Sequence, residues 1–160
     1  MHFIFDLDDT VVNTSHRQRL LADGSIDLEF WRANCTVGMV ARDKLLPLAS
    51  KMQGAIRDRL DVIICTSRVM GAADFAFLRA HKMLGRAVLS RFAGDERGCG
   101  ILKLDKLQAF AASRGLQWQQ FASQSIMFDD SKEVQTVLGN AGIRVIDPVQ
   151  YNFTQAKKVA

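Results

Sequence analysis

A short apolar run at the start of the chain, Phe3-Ile4-Phe5, leads directly into two aspartates, Asp6 and Asp8. An unbroken apolar run is typical of a strand that is buried on both faces, as in a parallel sheet. A spacing of two residues places both carboxylates on the same side of extended backbone. Because paired carboxylates at the end of a buried strand repel each other and lose hydration, the pattern predicts a cation or a reaction at this point.

Further apolar runs with strand character recur along the chain, and segments with helical periodicity separate them. We predict strands at 2–7, 61–66, 86–90, 125–129 and 143–147, and helices at 43–59, 72–84, 102–113 and 131–141. Strands that alternate with helices predict an α/β fold, a Rossmann-like parallel sheet flanked by helices. Such sheets bind their ligands beyond the carboxyl ends of the strands.

The length of 160 residues predicts a single domain, 1–160, with a small flap or cap insertion in the irregular stretch at about 13–42. A hydrophobic share of 48% and a charged share of 24% are typical of an ordinary soluble protein. The formal charge of +4 suits a phosphorylated or polyanionic substrate.

Two absences bear on the cellular location. Cys35, Cys65 and Cys99 are scattered without a Cys-x-x-Cys pair, which indicates a reducing compartment. No segment approaches the roughly 18 apolar residues of a membrane span, so we expect no membrane partner. Together these features predict a cytoplasmic protein.

Three of the predicted strands end in polar residues, and neighbouring strands would bring these residues into one crevice. They are Asp6 and Asp8, Thr66-Ser67-Arg68, and Asp129-Asp130. Phosphoryl transfer needs an in-line nucleophile, a proton for the leaving oxygen and positive charge near the phosphoryl oxygens. Each strand end alone could be a turn or a helix cap, so the functional interpretation depends on their joint order.

The acidic residues suit the covalent and metal-binding steps. Asp6 could attack phosphorus and form an aspartyl-phosphate, while Asp8 could act as general acid and base. Magnesium prefers oxygen ligands, which Asp6, the backbone carbonyl of Asp8, Asp129 and Asp130 would supply.

The remaining candidates would bind phosphate. Thr66 or Ser67 offers a hydroxyl and backbone amides to a phosphate oxygen. Lys103 or Lys106 offers a cation that offsets the charge of the nucleophile and the transferring group.

As a set, these motifs resemble those of the haloacid dehalogenase (HAD) superfamily, whose members are chiefly phosphatases. The matching segments are Asp6-Leu7-Asp8-Asp9-Thr10, Val62-Ile63-Ile64-Cys65-Thr66, Lys103 near the start of a helix, and Ile126-Met127-Phe128-Asp129-Asp130. Phosphatase members carry the second acid of the first motif, here Asp8. The resemblance therefore implies a Mg²⁺-dependent HAD-type phosphatase with a minimal cap.

Within that superfamily, the chain is most similar to the 3′-phosphatase domain of phage-type polynucleotide kinases. The likeness lies in Thr66-Ser67-Arg68 and in the segment 91–97, with Asp95 eight residues before Lys103. It implies that the substrate contacts are Thr10, Ser67, Arg68 and Arg91, and that Asp95 orients basic side chains. The same spacing favours Lys103 over Lys106 as the catalytic lysine.

These observations favour a Mg²⁺-dependent phosphomonoesterase that acts on nucleotide phosphate or on polynucleotide 3′ ends. Two alternatives stay open. The protein could be a phosphatase of small metabolites or mononucleotides, or a non-catalytic module that binds phosphate. No feature of the sequence indicates a protein partner.

Overall fold

The computed structural model describes residues 1–22 and 27–159, and a five-stranded parallel sheet lies at its centre. In chain order the elements are β1 (His2–Phe5), β2 (Val12–Asn13), a 3₁₀ turn (Ser15–Arg17), α1 (Leu28–Ala33), α2 (Val37–Val40), β3 (Lys44–Leu45), α3 (Leu48–Arg57), β4 (Asp61–Cys65), α4 (Ala72–Ala80), β5 (Ala87–Leu89), α5 (Cys99–Ser113), α6 (Trp118–Ser123), β6 (Ser125–Phe128), α7 (Lys132–Asn140), β7 (Arg144–Ile146) and α8 (Val149–Val159).

The strand order across the sheet is β5-β4-β1-β6-β7, so β1 is the central strand. Phe5 of β1 pairs with Ile64 of β4 on one side and with Phe128 of β6 on the other. The strands are parallel, so their carboxyl ends lie at one edge. The predicted Rossmann-like α/β fold is confirmed, and each predicted strand is present with slightly shorter bounds.

Two apolar clusters cover the two faces of the sheet, because successive strand residues point to opposite sides. On one face Phe5 and Ile64 pack with buried residues of α3 and α4. On the other face Ile4 and Ile63 pack with buried residues of α5, α6 and α7. Helices on both faces leave the edge with the carboxyl ends of the strands as the place for a polar site.

The predicted helix at 43–59 is wrong at its start. Lys44 and Leu45 form β3, which pairs antiparallel with β2, and α3 begins only at Leu48. Pro47 explains the difference, because proline disfavours helical backbone at the preceding residue but is tolerated in the first turn of a helix. Four of the described helices, α1, α2, α6 and α8, have no counterpart among the predictions.

A buried ion pair holds the segment in which we predict the cap. Arg17 is fully buried, and its Nε and Nη2 each donate to a carboxylate oxygen of Asp43 at 2.8 Å. The guanidinium lies 4.2 Å from the ring centroid of Trp31 in α1. Residues 23–26 of this segment lie outside the described residues. The role of 13–42 as a cap stays a prediction. The assignment of residues 1–160 to a single domain also stays a prediction.

The state of the cysteines and the character of the helices follow directly from the structure. Cys35, Cys65 and Cys99 are all free, and burial raises the pKa of the Cys65 thiol to about 12. Among the helices that the structure describes, none combines the length and apolar character that crossing a bilayer requires.

Close contact at Gly85 gives a test of the packing beside β4. A Cβ at this position would lie 3.1 Å from Cγ1 of Val62 and closer still to its carbonyl oxygen. We expect Gly85→Ala to lower the free energy of unfolding by about 1–3 kcal/mol, because the backbone of β4 would have to shift. Urea denaturation measures the change.

Gly139 in α7 is the matched control, because a Cβ at this position would meet no described atom within 4 Å apart from its chain neighbours and the local helix backbone. Gly139→Ala should leave stability unchanged or raise it by up to about 1 kcal/mol through helix propensity. Equal stability of Gly85→Ala and the wild type would contradict the described contact.

Candidate active site

The polar residues that follow β1, β4 and β6 meet in one crevice, because β1 lies between the other two strands. The ladder between β1 and β6 continues one residue past β1, where the amide of Asp6 donates to the carbonyl of Phe128 at 3.0 Å. Asp6 and Asp129 therefore leave the sheet side by side.

Lys103 of α5 joins these two strand ends. Its Nζ lies 2.8 Å from Oδ1 of Asp6 and 2.7 Å from Oδ2 of Asp129, and its side chain is only 3% exposed. Lys106, one turn further along α5, places its Nζ 3.3 Å from the ring centroid of Phe92 instead. The geometry thus brings Lys103 into the crevice and directs Lys106 to the loop that precedes α5.

Small residues and one carboxylate position the start of α5. The amide of Gly100 donates to Oε1 of Glu133 in α7 at 2.9 Å, and a Cβ at Gly100 would lie 2.7 Å from Cγ2 of Val137. Only glycine permits this approach. Glu133 therefore binds the first turn of α5, and this contact helps to set the position of Lys103.

Asp6, Asp129 and Asp130 form a compact group of acids. One carboxylate oxygen from each lies within 4.8 Å of the others. Burial, and then the charge of Asp6, raises the pKa of Asp129 to about 7 and that of Asp130 to about 6. Burial also raises the pKa of Asp6, although Lys103 opposes this shift.

The chemistry of this group fits a divalent cation. Among the described residues of this group, the ammonium of Lys103 offsets only part of the negative charge of the three carboxylates. The donors are all oxygens, which Mg²⁺ prefers over nitrogen or sulfur. Asp6, Asp129 and Asp130 are thus the residues that could hold the ion.

The carboxylate of Asp8 lies outside the acidic group and pairs with Arg68. Nη2 and Nε of Arg68 donate to its two oxygens at 2.5 and 3.2 Å, and the hydroxyl of Thr14 donates at 2.9 Å. Burial alone would raise the pKa of Asp8. The charge of Arg68 and the hydrogen bonds from Arg68 and Thr14 outweigh this effect, so that the pKa of Asp8 lies below its ordinary value. Arg68 is itself buried and also pairs with Asp74 at 2.5 Å.

A tight turn after Asp6 separates the two aspartates. The carbonyl of Leu7 accepts from the amides of Val11 and Val12 at 3.0 and 2.9 Å, and Asp9 adopts a positive φ of 53°. Thr10 is buried in this turn and donates its hydroxyl to Oδ1 of Asp130 at 3.3 Å. Thr10, which we predict to contact substrate, thus contacts an acid of the metal-binding group.

Asn152 of α8 holds the turn from outside. Its Nδ2 donates to the carbonyl of Thr10 at 2.9 Å, and its Oδ1 accepts from the amide of Leu48, the first residue of α3, at 2.9 Å. Asn152 is absent from the predicted site. No local pattern marks it, because its function depends on contacts with residues more than 100 positions away.

The loop after β4 offers hydroxyl groups to the crevice. Oγ1 of the buried Thr66 accepts from the amide of Arg68 at 3.2 Å, which shapes the turn. Among the described residues, Oγ of Ser67 is buried without a hydrogen-bond partner. A phosphate oxygen would supply the acceptor that this hydroxyl lacks.

Arg91 ties this loop to the next one instead of pointing its guanidinium freely at the crevice. Its Nε donates to the carbonyl of Ser67 at 2.8 Å, and its Nη1 donates to the carbonyls of Asp95 and Arg97 at 2.6 and 2.8 Å. The carboxylate of Asp95 pairs with Arg97 at 2.6 Å. The predicted phosphate contact of Arg91 stays a prediction.

A parallel Rossmann-like sheet, with acids from two adjacent strands around one lysine, defines a HAD-type phosphatase, and comparison with known proteins confirms this class of enzyme. The alternative of a non-catalytic module is thereby not supported. The chain belongs to the bacteriophage T5 5′-deoxynucleotidase family, whose family model matches residues 1–156.

One relative and three solved structures illustrate the likeness. The 5′-deoxynucleotidase of Escherichia phage T5 is 28% identical over an alignment of 164 positions, which spans 93% of this chain and 67% of the relative. A haloacid dehalogenase-like hydrolase from Streptococcus pneumoniae superposes with a TM-score of 0.61 at 14% identity, over 90% of this chain and 82% of that one.

The other two structures share the fold at a similar level. A chain of the Pnkp1/Rnl/Hen1 complex has a TM-score of 0.60 at 17% identity, over 91% of this chain and 45% of that one. A HAD family enzyme from Bacteroides thetaiotaomicron, solved with magnesium and inorganic phosphate, has a TM-score of 0.53 at 10% identity, over 92% of this chain and 93% of that one.

The raised pKa values predict an unusual dependence of stability on pH. Asp129 and Asp130 titrate near pH 7 and 6 in the folded protein, well above an unfolded aspartate, so the folded state binds more protons. Without Mg²⁺, the melting temperature should fall as pH rises from about 5 to about 8.

An excess of Mg²⁺ should cancel this loss at the high end of the range, because the cation replaces the protons. Thermal melts in EDTA and in Mg²⁺ at each pH measure both effects. Asp130→Asn should reduce the pH dependence in EDTA. A wild-type melting temperature that rises with pH in EDTA would contradict the proposed charge imbalance.

Proposed function

We propose that the protein is a Mg²⁺-dependent phosphomonoesterase that hydrolyses deoxynucleoside 5′-monophosphates through an aspartyl-phosphate. The observation that carries the proposal is the position of Lys103, within 2.8 Å of both Asp6 and Asp129, with Asp130 beside them. The substrate class is supported by the name of the phage T5 relative and by membership of its family.

Asp6 is the nucleophile in this proposal. Its carboxylate attacks phosphorus, and the ammonium of Lys103 offsets the negative charge of the nucleophile and the phosphoryl group. Mg²⁺ held by Asp6, Asp129 and Asp130 would neutralise phosphoryl oxygens. The hydroxyl of Ser67, which lacks a described partner, donates to one of those oxygens.

Asp8 carries the proton for the leaving oxygen. In the free protein Arg68 keeps its carboxylate ionised. A bound phosphate dianion competes for the guanidinium, and the loss of that pairing raises the pKa of Asp8 toward the range in which it holds a proton. Thr14 keeps the carboxylate in place through its hydrogen bond. Asp8 then protonates the leaving oxygen and later takes a proton from the attacking water.

Polynucleotide 3′ ends are the second candidate substrate. The resemblance of Thr66-Ser67-Arg68 and of segment 91–97 to the 3′-phosphatase domain of phage-type polynucleotide kinases favours them. The likeness to a chain of the Pnkp1/Rnl/Hen1 complex, at 17% identity, supports the shared fold alone. The two candidates differ in what lies beyond the phosphate, which is one nucleoside in the first case and a nucleic-acid strand in the second.

A substrate panel tests the proposal. Phosphate release is measured from the four deoxynucleoside 5′-monophosphates, their ribonucleotide counterparts, a deoxynucleoside 3′-monophosphate and a 3′-phosphorylated oligonucleotide, each in Mg²⁺ and in EDTA. We expect the highest kcat/KM for deoxynucleoside 5′-monophosphates and loss of turnover in EDTA. A higher kcat/KM for the oligonucleotide than for every mononucleotide would replace the first candidate with the second.

Two substitutions separate the roles of the paired aspartates. Asp6→Asn should abolish turnover of every substrate, because the nucleophile is lost. Asp8→Asn should lower kcat for a deoxynucleotide by about 10²–10⁴, the usual contribution of general acid–base catalysis. In Asp8→Asn, the rate of aspartyl-phosphate formation from p-nitrophenyl phosphate should fall less, because p-nitrophenolate leaves without a proton. A rapid-quench burst of p-nitrophenol measures this step.

Asp58→Asn is the control, because Asp58 is exposed and its ion pair among the described residues is with the neighbouring Arg57 at 3.3 Å. Its kinetic constants should match those of the wild type. Equal losses of the burst and of deoxynucleotide turnover in Asp8→Asn would argue against a proton-transfer role.

A further inference from the structure

We propose that Phe92, with Lys106 beside it, forms a platform on which the nucleobase of the substrate stacks. The inference deepens the proposed function and rests on it, since it assigns the part of the molecule that contacts the leaving nucleoside. Nothing in the motifs around the phosphate site requires Phe92. It lies in the loop between β5 and α5, which runs from 90 to 98.

The first argument is the attachment of this loop to the phosphate site. The amide of Arg91 donates to the carbonyl of Arg68 at 3.1 Å, and the guanidinium of Arg91 donates to the carbonyl of Ser67 at 2.8 Å. Phe92 follows Arg91 directly. Its backbone is therefore held next to the loop whose side chains face phosphate in the proposed mechanism.

The second argument comes from α5. Nζ of Lys106 lies 3.3 Å from the ring centroid of Phe92. Lys106 is three residues after Lys103, so the two side chains project from neighbouring turns on one part of the helix. The ring is thus tied to the crevice through two separate elements, the loop after β4 and the helix that carries Lys103.

The third argument is exposure. Phe92 is 71% exposed, although a phenyl ring gains from burial, and it sits on a loop fixed by Arg91. An open ring on a loop attached to a phosphate-binding loop is suited to stacking an unpaired base, and a neighbouring ammonium adds to the attraction.

The aromatic side chains of the predicted cap are less available for this purpose. Trp31 lies against the guanidinium of Arg17 at 4.2 Å, and Phe30 lies against that of Arg19 at 4.6 Å. Both rings are also only partly exposed. Of the three aromatic residues Phe30, Trp31 and Phe92, it is therefore Phe92 that is left open, on the loop attached to the loop after β4.

The test compares substrates with and without a base. Phe92→Ala should raise KM for deoxyadenosine 5′-monophosphate by about tenfold, the size expected for the loss of one stacked base. It should leave kcat/KM for 2-deoxyribose 5-phosphate unchanged within a factor of about two. Phe92→Trp should restore the wild-type KM, because stacking needs only an aromatic face.

Phe153→Ala is a matched control. Phe153 is 61% exposed and lies 4.3 Å from Nζ of Lys157, so it forms the same kind of surface pair on α8. Phe153→Ala should leave KM for deoxyadenosine 5′-monophosphate and kcat/KM for 2-deoxyribose 5-phosphate unchanged. An equal loss for both substrates in Phe92→Ala would overturn the platform in favour of a structural role, and no change for either substrate would also overturn it.

Equilibrium binding separates this inference from the proposed function. Calorimetry with Asp6→Asn, which does not turn over, compares deoxyadenosine 5′-monophosphate with 2-deoxyribose 5-phosphate. If Asp6→Asn binds the nucleotide more tightly than the sugar phosphate, and the double variant Asp6→Asn/Phe92→Ala binds both with equal affinity, the platform is supported. This holds even if the wild type fails to hydrolyse nucleotides. Equal affinity of the two ligands for Asp6→Asn would refute the platform whatever the enzyme hydrolyses.

Discussion

The ammonium of Lys103, held between Asp6 and Asp129, is the interaction on which the arrangement of the crevice depends. It links two adjacent strands to the helix on one face of the sheet, and it is almost entirely buried. Loss of one partner from such a group leaves uncompensated charge and typically costs about 3–5 kcal/mol. The lysine satisfies only part of the negative charge, so the same interaction that shapes the site also leaves it in need of a cation.

Side chains far along the chain keep this arrangement in place. Glu133 binds the amide of Gly100 and so fixes the first turn of α5, from which Lys103 projects. Asn152 binds the carbonyl of Thr10, and Thr10 in turn contacts Asp130. Residues of α7 and α8 thus help to position Lys103 and Asp130, and the stability of those helices bears directly on the geometry of the crevice.

The sequence predicts the convergence of the strand ends because its signals are local. An apolar run that ends in acids predicts a buried strand and its exit, and parallel strands bring their carboxyl ends together, as Asp6 and Asp129 show. What it misses depends on tertiary contacts. The pairing of Arg68 with Asp8 and the hydrogen bonds of Asn152 each require a partner distant in sequence. The start of α3 at Leu48 follows instead from Pro47, a local signal that apolar periodicity does not register. Apolar periodicity continues through Leu45 and Leu46, so periodicity alone extends α3 too far.

Asp6 and Asp8, which follow β1, illustrate how one short segment supplies two carboxylates whose pKa values shift in opposite directions. Burial raises the pKa of Asp6 despite Lys103, whereas Arg68 lowers the pKa of Asp8 despite burial. Groups whose surroundings shift their pKa values in opposite directions are suited to different steps of one reaction. The difference arises from the turn at Leu7, which sends the second carboxylate to another cation. Asp6 contacts Lys103 and lies beside the two acids that follow β6. Asp8 pairs with Arg68, for which a bound phosphate would compete in the proposed mechanism. The turn at Leu7 therefore allows the proposed nucleophile and the proposed proton carrier to be adjacent without sharing a counter-ion.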